Sequence, residues 1–62
     1  MKKKELRKLA EKIASLERTI QTAEDSFTRS EAQNEVIQLT EKIYDIEDML
    51  ILDNYIQEFL SN

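Results

Sequence analysis

Apolar side chains recur along the first half of this 62-residue chain with helical regularity. Leu6, Leu9, Ile13, Leu16, Ile20, Ala23 and Phe27 are separated by 3, 4, 3, 4, 3 and 4 positions. That spacing is the a/d stripe of an amphipathic helix. Carried forward, the same register meets Ser30, Asn34, Ile37 and Glu41, and the stripe is lost. A second stripe opens at Ala32 and continues through Val36, Leu39, Ile43, Ile46 and Leu50 at spacings of 4, 3, 4, 3 and 4. The five positions from Phe27 to Ala32 fit neither heptad step, so a straight helix would swing its apolar face away there. A turn resolves the conflict.

The local residues agree with a turn. Asp25-Ser26-Phe27-Thr28-Arg29-Ser30 gathers turn-favouring side chains. Thr28 and Glu31 have the spacing of a capping box, in which the hydroxyl and the carboxylate each take one orphan N–H at a helix start. Ser30 and Gln33 offer a second box two residues on. The pattern therefore predicts a single all-α domain over residues 1–62. It is an antiparallel two-helix hairpin of coiled-coil type, with helix 1 over about 3–25, a turn at about 26–28 and helix 2 over about 29–60. One unbroken helix in a long parallel coiled coil is the competing reading.

Helix 2 has apolar residues beyond the stripe assigned to helix 1. At about 100° per residue, Ile37, Tyr44, Ile51 and Tyr55 form a second stripe, and Met49, Leu52, Ile56, Phe59 and Leu60 fill the opposite side near the C-terminus. One helix 1 cannot cover all of these, so dimerisation into a four-helix bundle is the expected remedy. Ile37, Tyr44, Ile51, Leu52, Tyr55, Ile56, Phe59 and Leu60 are accordingly the candidate dimer-binding and partner-binding residues.

Composition narrows the chemistry. The chain has no Gly, Pro, Cys, His or Trp. Disulfides and thiolate metal sites are excluded, and so is an imidazole base or ligand. A chain this short seldom holds a sufficient core alone, which again points to oligomerisation. No run approaches the roughly 20 apolar residues of a membrane span. The lysines after Met1 are followed by no apolar segment of a signal peptide, so a cytoplasmic location, in a cell or an infected host, is expected.

Charge is sorted along the chain, whose net charge is −4. Residues 1–12 hold six bases against two acids, and residues 30–62 hold Lys42 against eight acids, so the two segments carry +4 and −7. Antiparallel folding would set the basic start of helix 1 beside the acidic Asp45–Asp53 stretch. Lys2, Lys3, Lys4, Arg7 and Lys8 are also the candidate phosphate contacts, should the ligand be RNA or DNA. The outer acids of helix 2, among them Glu31, Glu35, Asp45 and Asp48, raise the opposite idea of nucleic-acid mimicry.

Residues Val36-Ile37-Gln38-Leu39-Thr40-Glu41-Lys42-Ile43-Tyr44 resemble the second helix of the sporulation-type aspartyl-phosphate phosphatases, which are helical hairpins of about this size. Thr40-Glu41-Lys42-Ile43-Tyr44 stands where that family reads Ser-Gln-Glu-Leu-Asp, so Tyr44 takes the place of its Asp. The family's inter-helix Gly is absent too. The resemblance implies a hairpin and does not carry the phosphatase chemistry over.

These readings predict a small non-enzymatic regulator, with no cofactor and no metal, that binds a protein partner as an inhibitor or adaptor and is encoded by a cell, a phage or another mobile element. A nucleic-acid-binding or nucleic-acid-mimicking regulator is the first alternative. A structural subunit of a larger helical assembly is the second.

Overall fold

The computed structural model describes residues 1–61 and holds three α-helices, α1 (Lys3–Thr22), α2 (Ser26–Thr40) and α3 (Ile46–Ser61), with no strand among the described residues. The chain breaks twice where the hydrophobic pattern predicts one turn.

The first break comes a little earlier than expected. The helix ends at Thr22, and Ala23 is extended at φ −65° and ψ 130°, its N–H still donating to the Thr19 carbonyl at 2.8 Å. Asp25 is extended as well and is the N-cap of α2. Its Oδ2 accepts the Thr28 N–H at 3.0 Å and the Thr28 hydroxyl at 2.9 Å. The Thr28–Glu31 box therefore does not start the helix. Asp outranks Thr as a cap, and an ionised acceptor also complements the positive end of the helix dipole. Phe27, the last residue of the first stripe, is 71% exposed.

The second break divides the predicted helix 2. The Thr40 hydroxyl donates back to the Val36 and Ile37 carbonyls, a bond that competes with the helix ladder. The Ile43 N–H closes on the Thr40 carbonyl at 3.1 Å, one residue tighter than an α-turn. Asp45 then restarts the chain. Its Oδ1 accepts the Glu47 N–H at 2.9 Å and its carbonyl accepts the Met49 N–H at 3.0 Å. Glu47 and Asp48 fill the first turn, where the dipole favours acids. No described residue has a positive φ, so both links are made without the left-handed conformation that usually calls for glycine.

This break changes which face of the chain is buried. Ala32 and Ile43 are buried and Val36 and Leu39 half-buried, as their stripe predicts. Ile46 and Leu50 continue the same stripe in sequence, yet they are 77% and 61% exposed. In their place Leu52 is buried at 1%, with Tyr55, Ile56 and Phe59 half-buried beside it. The five residues from Glu41 to Asp45 re-phase the helix, so a different stripe of α3 meets α1. Leu52, one of the candidate partner-binding residues, lies in the chain's own core.

The central element is α1. Both α2 and α3 pack on it, and among the described residues the backbones of α2 and α3 make no close approach to each other. Asp48 pairs with the Met1 amine, and Phe59 meets Arg7 and Arg18 further along, so α3 runs in the same sense as α1. The core is thin: Leu6, Ala10, Ile13, Ile43 and Leu52, with Ala10 and Ala14 providing small contact surfaces on α1. The dimensions are 35 × 25 × 15 Å and the radius of gyration is 11.8 Å, against about 10.6 Å for a globular domain of this length. The accessible surface is 4829 Å², about 650 Å² more than size scaling gives for a folded monomer of 7.3 kDa.

Candidate functional site

The exposed apolar residues concentrate around the second break. Tyr44 is 91% exposed, Ile46 77% and Leu50 61%. Ile46 and Leu50 stand one turn apart, hence on one face of α3. Of the eight residues predicted from sequence, Ile37 and Tyr44 are exposed, and Ile51, Tyr55, Ile56, Phe59 and Leu60 are half-buried. Leu52 is buried. The periodicity puts Ile46 and Leu50 on the stripe facing helix 1, because their 3–4 spacing carries no sign of the break that turns them outward. A signal was available in Asp45 followed by Glu47 and Asp48, which has the composition of a helix start.

Beside this patch lies a cleft. Because the backbones of α2 and α3 make no close approach, a cavity of about 250 Å³ opens between them over α1. Ile13 lies on its α1 side, Val36 and Thr40 on its α2 side, and Met49, Ile56 and Leu60 along α3. Glu17 and Asp53 bring carboxylates to it, and among the described residues no Lys or Arg lines it. A second groove between α1 and α2 has the opposite character. It is lined by Leu9 and Leu39 with Lys8, Lys12 and Lys42, and by Met1 and Glu5 at one end.

The basic start of α1 is exposed at Lys2, Lys3, Lys4, Arg7 and Lys8. Arg7 lies over the Phe59 ring at 6.0 Å, and the Arg18 guanidinium donates to the Phe59 carbonyl, so these two cations tie α3 down. Lys12 approaches Glu35 at 3.9 Å. The Met1 amine donates to Asp48 Oδ2 at 3.0 Å, and that hydrogen bond, with the attraction of the same carboxylate, raises the amine above its ordinary value. The backbone N–H of Thr28, followed by its hydroxyl, holds the Asp25 carboxyl below the ordinary carboxylate value.

No cluster of acidic side chains among the described residues is arranged to hold a metal ion. No helix is long and apolar enough to cross a membrane. Comparison with protein-family models, curated proteins and solved structures gives no match.

Proposed function

We propose that this chain is a small non-enzymatic regulatory protein that works by protein–protein binding, as an inhibitor or adaptor, and that it does so as a homodimer. The observation that carries the reading is the exposure of Tyr44, Ile46 and Leu50 within seven residues of one another. Each large apolar side chain moved from water into an interface contributes about 1.5–3 kcal/mol. The excess surface of the monomer, about 650 Å², approaches the roughly 800 Å² that each partner buries in a standard interface. Tyr is also enriched at interface hot spots.

Light scattering at micromolar concentration tests the proposal. The expected mass is twice that of the 7.3 kDa chain, and Leu50→Glu should return it to the single-chain value. A folded monomer that instead binds RNA or DNA would overturn the reading. Such binding would weaken steeply with salt and with neutralisation of Lys2, Lys3 and Lys4.

A further inference from the structure

We infer that the cleft between α2 and α3 seats a basic amphipathic helix supplied by a partner protein. The inference rests on the protein-binding reading above and adds the chemistry of the partner. Three observations support it.

The first is shape. The cleft follows α3 from Met49 to Leu60, about 16 Å at the helical rise. That length accommodates apolar anchors at i, i+4 and i+7 of a bound helix, the spacing by which helices dock in grooves. At about 250 Å³ the cavity falls below the roughly 300–1,000 Å³ typical of small-molecule pockets.

The second is lining. Ile13, Val36, Met49, Ile56 and Leu60 offer apolar surface from all three helices. Ile13 and Leu52 are themselves buried and form the floor of the cleft, so Val36, Met49, Ile56 and Leu60 present most of the accessible apolar surface, with Thr40 and Gln57 among them. Water along that surface is displaced with gain only by an apolar stripe.

The third is charge. Among the described residues, Glu17 and Asp53 are the ionisable groups on the cleft, and the bases Lys8, Lys12 and Lys42 line the other groove. The segment that builds most of the cleft, residues 30–62, carries −7. A second copy docked cleft to cleft would set these carboxylates against their own images, which is unfavourable. Lys or Arg flanking an apolar stripe would meet them instead. The self-association surface at Tyr44, Ile46 and Leu50 is made of residues that do not line the cleft, so both contacts can coexist.

The two methionines make the test direct, because Met49 lines the cleft and Met1 the basic groove. The protein is labelled with ¹³C at its methionine methyls. It is titrated with a synthetic Leu/Lys amphipathic peptide of about 18 residues, long enough to hold a helix. The Met49 signal should move and the Met1 signal should stay. A Leu/Glu peptide of the same length should bind roughly tenfold more weakly, and so should the Leu/Lys peptide to the double variant Glu17→Gln, Asp53→Asn. Movement of Met1 alone, no movement of either methyl, or equal binding of the two peptides would overturn the inference. So would a Met49 shift that tracks protein concentration without peptide in the Leu50→Glu variant, whose own dimer contact is removed, since the occupant of the cleft would then be a second copy. The Leu50→Glu variant should still bind the peptide, which separates failure of this site from failure of the dimer.

Discussion

One oxygen of the Asp25 carboxylate accepts both the backbone N–H and the hydroxyl of Thr28, at 3.0 and 2.9 Å. This pair starts α2 and sets the phase in which Ala32, Val36 and Leu39 reach α1. Its strength depends on ionisation, because the two donors hold the carboxyl below its ordinary value of 3.8. A carboxyl depressed on folding adds stability above its unfolded value and loses it as pH falls through the folded one. Asp25→Ala should therefore lower the melting temperature at pH 7. The gap to the parent should close as pH is lowered below 3.8. Asp25→Asn, a residue that also caps well, should recover most of the loss at pH 7. A gap independent of pH would remove the carboxylate from the account.

Leu52 and Leu50 give the sharpest contrast between three helices and two. Leu52 is 1% exposed and Leu50 61% exposed. Leu52→Ala should cost about 2–5 kcal/mol in chemical denaturation, whereas Leu50→Ala should change the stability of the monomer by less than about 0.5 kcal/mol. An uninterrupted second helix in the heptad register would reverse that order.

Phe59 joins α3 to α1 through its ring and its carbonyl. The Arg7 guanidinium lies 6.0 Å from the ring centroid, and Arg18 donates to the carbonyl. Replacing Arg7 by Ala should cost about 0.5–1 kcal/mol, the range for an exposed cation–π contact. A double-mutant cycle with Phe59→Leu isolates the contact: the two losses should overlap rather than add.

Self-association should follow the patch at the second break. If the proposed dimer forms through this patch, Tyr44→Ala with Ile46→Ala should raise its dissociation constant by at least about tenfold, since two apolar side chains would be lost from the proposed interface. Sedimentation at several concentrations reads that change. Circular dichroism should show the helical content retained, because both side chains are exposed in the single chain.

How much of this was legible in the residues depends on the range of the interactions. The helical class, the first break and the stripe of α1 follow from local spacing, and the break falls within a few residues of its predicted place. The buried Leu6, Ile13, Ala32 and Ile43 all lie on predicted stripes. The second break was not legible from periodicity, because Val36, Leu39, Ile43, Ile46 and Leu50 keep an uninterrupted 3–4 spacing across it. Only the capping pattern at Asp45 marks it, and capping is a weaker signal than an apolar stripe.

The sequence by itself determined that this chain is helical, that it turns without glycine, and that its chemistry excludes thiols and imidazoles. Its acids and bases were also sorted into separate segments before any folding. The tertiary structure decided which of two competing stripes on α3 is buried. α3 carries apolar residues around most of its circumference, so several rotations would bury similar area. The re-phasing between Glu41 and Asp45 turns Leu52 toward α1, where it joins Leu6, Ala10 and Ile13, and Asp48 is tied to the Met1 amine. That choice places Leu52 inside and Tyr44, Ile46 and Leu50 outside, and it leaves α2 and α3 apart over α1 with an acidic, apolar cleft between them.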